Sequence, residues 1–235
     1  MAHMRAMIVF LMVVASAIGV QAQSIPEHLV TLNTRTFDLG TDASKLRRDP
    51  NFVPMNEIDW LGPILDADPL LGHVVFHLEM ADPSMVSASF LWEWERGPDL
   101  PGNGWHYFYK YSQNIPERFR IPGYEARANT EDGLGSVMMI PADPDKDYAV
   151  MCDPNRKSGR LDFCSIRASY PPDPLIYLKA RLYHPQDWDK TRGELDDMVA
   201  RMREIAACLD VTGRELERNA DGTPKLTGCK TGAGS

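Results

Sequence analysis

Residues 147–184 read DYAVMCDPNRKSGRLDFCSIRASYPPDPLIYLKARLYH and hold the densest run of strand-like sequence in the chain. Polar and Pro-containing turn residues interrupt this run twice, around Gly159 and at Pro171-Pro172. The pattern predicts an antiparallel meander of three strands at 147–153, 160–170 and 174–184.

Two cysteines, Cys152 and Cys164, lie on either side of the first turn of this meander. They could be metal ligands, a redox pair or a disulfide. Paired strands would place them opposite each other, which is the geometry that a disulfide needs. The chain lacks C-x2-C and Cys/His pairs at zinc spacing, so we favour the disulfide.

The segment that follows the meander, 185–210, changes from strand to helix periodicity. Its apolar residues recur at spacings of three and four, which predicts one amphipathic helix over about 186–209. The apolar stripe consists of Trp188, Leu195, Met198, Val199, Met202, Ile205, Ala206 and Leu209.

Four more segments, nearer the N-terminus, are typical of strands: 28–39, 73–80, 87–95 and 105–111. The chain is therefore predicted to be an α+β protein. Antiparallel strands would form the sheet, and one long C-terminal helix would pack on a sheet face.

The N-terminal stretch, 1–22, has the features of a signal peptide that is cleaved near Ala22. It has Arg5 as its one charge, an apolar run over 7–14 and small residues before Ala22. We therefore expect export to the periplasm, a single domain over 23–209 and a tail at 210–235. A split of that domain into two small lobes near 120–140 is the alternative.

The four cysteines of the chain also fit an exported protein, because an even number at these spacings favours disulfides. Sequence order favours a second bond between Cys208 and Cys229, which would tether the tail. The formal net charge of −8 disfavours nucleic acid and anionic membranes as partners. No cofactor is expected, and the sequence does not indicate the oligomeric state.

Motifs for catalysis or metal binding are weak. His73 and His77 are spaced for a strand, on which they would lie too far apart to share an ion. Asp143, Asp145 and Asp147 start like a calcium loop, but the positions that need Gly and Glu hold Tyr148 and Pro154. We therefore expect no metal site and no enzymatic activity.

The segment 90–111 is rich in aromatic residues beside two carboxylates. Such residues are enriched in protein interfaces, although a core layer would use them equally well. The predicted partner-binding residues are Trp92, Glu93, Trp94, Glu95, Trp105 and Tyr107.

The run from about 147 to 205 resembles small exported immunity proteins encoded beside type VI secretion effectors. The resemblance rests on two cysteine-bearing strands, a third strand, and a helix that opens with Trp188 and carries Leu195 and Val199. It implies a protein that binds a toxin in the periplasm and occludes it, the toxin being a lipase or a cell-wall hydrolase.

Two other functions remain open on the sequence. One is a periplasmic hydrolase whose active site is not recognised, using for instance Glu93, His106 or Asp162. The other is an envelope adaptor protein without catalysis.

Overall fold

The computed structural model describes residues 26–46, 48–80, 115, 117–128, 135–143, 145–155, 157–158, 161–183 and 192–225. These residues form nine strands and three α-helices, with short 3-10 turns at Met55–Glu57 and Glu117–Phe119. The strands are β1 (Leu29–Leu32), β2 (Arg35–Asp38), β3 (Phe52–Pro54), β4 (Val74–Met80), β5 (Tyr124–Ala128), β6 (Val137–Pro141), β7 (Tyr148–Pro154), β8 (Leu161–Tyr170) and β9 (Asp173–Tyr183). The helices are α1 (Ala43–Leu46), α2 (Gly62–Ala67) and α3 (Leu195–Leu209).

The predicted meander is confirmed, since β7 pairs with β8 and β8 with β9, all antiparallel. Cys152 is the direct partner of Cys164 in the register of β7 and β8, and the two form a disulfide. Their sequence separation is 12, a loop for which the chain-entropy model gives about 3 kcal/mol of stabilisation.

The meander is the middle of a seven-stranded antiparallel sheet with the order β3-β4-β9-β8-β7-β6-β5. Strand β4 lies beside β9, although about 100 residues separate them in the chain. β1 and β2 form a separate two-stranded sheet. The α+β class predicted from the sequence is therefore confirmed.

Helix α3 carries the predicted apolar stripe and packs against β8 and β9. From Leu195 onward every predicted stripe residue is buried. The predicted start near 186, with Trp188, lies outside the described residues. α3 is thus the long helix on a sheet face that the periodicity indicates.

Polar contacts tie α3 to its surroundings at its middle and at its first turn. The Arg201 Nε donates to Asp68 Oδ2 over 2.7 Å, and its Nη1 donates to Glu204 Oε2 over 3.0 Å. Near the helix start, Asp196 accepts hydrogen bonds from Lys146 and from the Tyr148 hydroxyl.

The single strand predicted over 28–39 is wrong, because this segment is a hairpin. β1 and β2 pair antiparallel around a turn in which Asn33 has φ 48°, a left-handed conformation that asparagine tolerates. The Asp173 carboxylate holds the turn, since it accepts hydrogen bonds from the Asn33 side chain and from Thr34. This hairpin and the residues after α3 are joined by Val211 N–H donating to the Thr36 carbonyl.

Several sequence predictions fall outside the described residues: the leader over 1–22, the strands over 87–95 and 105–111, and Cys229. Cys208 is disulfide-bonded, as the predicted pairing requires. No helix among the described residues is long and apolar enough to cross a membrane.

Candidate functional site

The seven-stranded sheet has two faces of different character. One face carries buried apolar side chains, such as Leu78, Leu178 and Ile166, which belong to the same core cluster as the stripe of α3. Because side chains alternate along a strand, the intervening residues point to the opposite face. In β4, β9 and β8 these intervening residues include a histidine, a glutamate and three cations, and we name this surface the polar face.

The strand register arranges the polar face into rows that run across β4, β9 and β8. One row contains Val75, Arg181 and Ser165, and the next contains His77, Lys179 and Arg167. Directly opposed residues of one face have Cβ atoms about 5 Å apart, so each row is a set of neighbours. Glu79 lies one step further along β4.

Glu79 is the carboxylate around which these rows are organised. Its Oε1 lies 3.0 Å from His77 Nε2, and Lys179 Nζ donates to Oε1 over 3.1 Å and to Oε2 over 3.3 Å. Arg167 approaches Oε2 at 4.0 Å. One carboxylate thus forms ion pairs with two cations and a hydrogen bond with a histidine.

The pKa of Glu79 reflects this concentration of donors. Burial opposes its ionisation, but the hydrogen bonds from His77 and Lys179 and the Lys179 charge outweigh burial and lower the pKa to about 2. Lys179 itself has a lowered pKa, chiefly because it is buried and because Arg167 lies near. Glu79 is therefore a fixed negative charge among crowded positive ones.

His77 is fully buried, with 0% of its surface exposed. Burial lowers its pKa and outweighs the opposing hydrogen bond to Glu79. Its ring stacks at a tilt on Phe52, with 4.4 Å between the ring centroids. The other ring nitrogen, Nδ1, is buried and has no hydrogen-bond partner, so the neutral imidazole is favoured.

The polar face opens to solvent at the row of Val75 and Arg181. Val75 is 41% exposed and is the one large apolar side chain of the described residues with such exposure. Arg181 is partly exposed, and its Nε is buried without a hydrogen-bond partner. This open end is a part of the polar face that another molecule can reach.

Few of the residues predicted from the sequence lie at this site. Trp92, Glu93, Trp94, Glu95, Trp105, Tyr107 and His106 all lie outside the described residues, and so does the side chain of Asp162. Of the two histidines considered above as metal ligands, His73 is exposed just before β4, while His77 is buried. The described residues contain no group of three or more His, Cys, Asp or Glu side chains placed to hold a metal ion.

Asp143, Asp145 and Asp147 belong to the turn that leads into β7. The Asp145 N–H donates to Asp143 Oδ1 over 3.0 Å, and the Lys146 N–H donates to the Asp143 carbonyl. Asp147 accepts a hydrogen bond from the Ser169 hydroxyl. These contacts are those of a turn that initiates a strand.

The residues that the sequence did not single out are Glu79, Lys179, Arg181 and Arg167. The sequence does contain a pattern that points to them, since Tyr177, Lys179 and Arg181 alternate with apolar residues in β9. The alternation indicates a polar sheet face but does not indicate which strand lies opposite.

Comparison with models of known protein families, with curated proteins and with solved structures gave no match.

The pKa of His77 predicts a pH dependence of stability. Its pKa in the folded state is below the usual 6.5, so the unfolded chain binds a proton first as the pH falls. The free energy of unfolding should therefore decrease as pH is lowered below about 6.5. Glu79, whose pKa falls from 4.5 to about 2, adds a further loss of up to about 3 kcal/mol between these values.

Urea unfolding across this pH range, on the wild type and on His77→Gln, measures the effect. The variant should lose the upper part of the pH dependence and keep a smaller part below 4.5, because His77 supplies part of the lowering of the Glu79 pKa. His73→Gln, which changes an exposed histidine, is the matched control and should keep the wild-type profile. An unchanged slope between pH 6.5 and 4.5 in His77→Gln would contradict the assignment to His77.

Proposed function

We propose that this protein is a periplasmic immunity protein that binds and occludes a secreted antibacterial toxin, either a lipase or a cell-wall hydrolase. The observation that carries the proposal is the open end of the polar face. There an exposed apolar side chain, Val75, lies beside the partly exposed Arg181 on a rigid sheet. The resemblance of residues 147–205 to immunity proteins supports the same function.

Rigidity of the surface favours tight binding. Val75 and Arg181 lie on β4 and β9, two neighbouring internal strands of the sheet. The same sheet is held by the Cys152–Cys164 bond between β7 and β8 and by α3, which packs on β8 and β9. A preformed surface loses little conformational entropy on association. Arginine is also among the residues that contribute most to interface energy when partly buried.

Strong binding is a requirement of the proposed function. A cell must silence a lethal enzyme at low concentration, which calls for a dissociation constant near nanomolar, about −12 kcal/mol. Such affinity needs more contact area than one row of side chains. The residues predicted over 92–107 remain the proposed remainder of the interface.

A hydrolase is the second candidate function, and His77 is the observation that favours it. A histidine that bonds a carboxylate through one nitrogen and leaves the other unpaired has the arrangement of a general base. Against this, Nδ1 is buried, and no described hydroxyl or thiol bonds it. A substrate could not reach His77 in this conformation, so we place this function second.

Co-expression tests the proposal. The full chain should rescue bacteria from a periplasm-directed toxin encoded beside its gene, and a chain that lacks residues 1–22 should not. Rescue by the leaderless chain would contradict the periplasmic role. The purified chain should also hydrolyse neither lipid nor peptidoglycan, and turnover that His77→Gln abolishes would support the hydrolase instead.

A further inference from the structure

Arg181 is the cation of the polar face whose charge no carboxylate of the described residues balances. Lys179 and Arg167 share the Glu79 carboxylate. No described side chain or carbonyl accepts a hydrogen bond from Arg181, and its Nε is buried and unsatisfied. The guanidinium is a permanent cation in proteins, so Arg181 carries a positive charge that no described residue pairs.

The surroundings of Arg181 increase the excess of positive charge. Its charge disfavours protonation of both His77 and Lys179, which places the three groups within electrostatic range. Among the described residues of these rows, the charged side chains are three cations and the Glu79 carboxylate, in a chain whose formal net charge is −8. An anionic group docked here would relieve that repulsion.

We propose that Arg181 binds a carboxylate side chain, an aspartate or a glutamate, of the partner protein. This inference rests on the proposed function and names the chemistry of its contact. In the same row, Val75 is the neighbour of Arg181 on one side and Ser165 is its neighbour on the other. The carboxylate pairs with the guanidinium through two parallel hydrogen bonds.

The geometry favours a carboxylate over a phosphate. A carboxylate has one charge and two oxygens, which match the fork of a single guanidinium. Phosphate sites commonly add backbone N–H donors from a helix start or a turn. Arg181 instead lies within a strand that is paired on both sides, so its neighbours offer side chains alone.

A titration of the full chain by NMR tests the site without any toxin. The probe is N-acetyl-glutamate N-methylamide, and the readout is the Nε–H resonance of Arg181, at constant ionic strength. We expect a saturable shift at Arg181. Inorganic phosphate is the parallel probe, and tighter binding of phosphate than of the glutamate derivative would overturn the assignment to a carboxylate.

Three variants make the test specific. Arg181→Met should weaken glutamate-derivative binding by about tenfold or more, the usual effect of losing a charged hydrogen bond. Arg181→Lys keeps the charge but loses the forked donor geometry. Its affinity for the glutamate derivative should lie between those of Arg181→Met and the wild type. Lys45→Met, on the exposed α1, makes the same charge change elsewhere and should bind as the wild type does. Equal binding by all three would refute the proposal.

The Arg181 contact and the immunity function can be tested separately, because either can fail while the other holds. Rescue from a toxin that survives Arg181→Glu would refute the Arg181 contact and leave the immunity function standing. A saturable carboxylate shift without rescue from any neighbouring toxin would keep the site and refute the function. Loss of rescue in Arg181→Glu, restored by an Asp→Lys or Glu→Lys change on the toxin, would support both.

Discussion

Val199→Asp should leave most of the protein unfolded at room temperature. Val199 is 2% exposed, in the middle of the α3 stripe that faces the sheet. An aspartate there would have to bury a carboxylate among apolar side chains, which costs several kcal/mol even if the group takes up a proton. A domain of this size has about 5–15 kcal/mol of stability in total.

Leu195→Ala tests the same packing by a milder change. Leu195 is 1% exposed at the first turn of α3, and a buried Leu→Ala change typically costs about 2–5 kcal/mol. Circular dichroism during urea unfolding measures both variants. The matched control is Ala200→Asp, which adds the same carboxylate at the next position, where the side chain is exposed.

Ala200→Asp shows whether Val199→Asp unfolds the protein because its carboxylate is buried. Ala200→Asp should remain folded, with a loss below about 1 kcal/mol from helix propensity. If Val199→Asp were as stable as Ala200→Asp, the stripe would not be a packing surface. If both unfolded, an aspartate in α3 would be harmful for reasons other than burial.

Sequence reasoning could predict this part of the fold because its information is local. The stripe from Leu195 to Leu209 is set by spacings of three and four within one helix. Likewise, the pairing of Cys152 with Cys164 follows from a short hairpin. The hairpin at Asn33 was missed, because its residues continue the strand pattern and the turn depends on Asp173, which is distant in sequence.

The candidate site could not be predicted, because it depends on pairing between distant strands. Lys179 and Glu79 are separated by 100 residues, and neither has a neighbour in sequence that indicates the other. Only the register of β4 with β9 brings them together. The predicted aromatic interface over 92–107 stays a prediction.

Asp68 forms a buried ion pair that could not be predicted from the sequence either, because its partner is distant in the chain. The sequence indicates Asp68-Pro69 as a turn, and Asp68 Oδ1 does accept hydrogen bonds from the N–H groups of Leu70 and Leu71. Its other oxygen, Oδ2, bonds Arg201, which lies 133 residues away. One carboxylate therefore makes a local turn and anchors a distant helix.

Arg201→Met should destabilise the protein by about 3–5 kcal/mol, the usual cost of removing one partner from a buried ion pair. Both side chains are buried, and the loss of the guanidinium leaves Asp68 as an uncompensated charge beneath α3. The methionine keeps most of the apolar volume of the arginine stem, so the loss should come from the charge rather than from a cavity.

The double variant Asp68→Asn, Arg201→Met separates the effect of the unpaired charge from the effect of lost packing. Asparagine keeps an oxygen for the Leu70 and Leu71 N–H groups but carries no charge, so the double variant should recover most of the stability that Arg201→Met loses. Urea unfolding at neutral pH of the two single variants and the double variant gives the coupling energy. Losses that simply add would show that the ion pair between Arg201 and Asp68 contributes nothing of its own to stability.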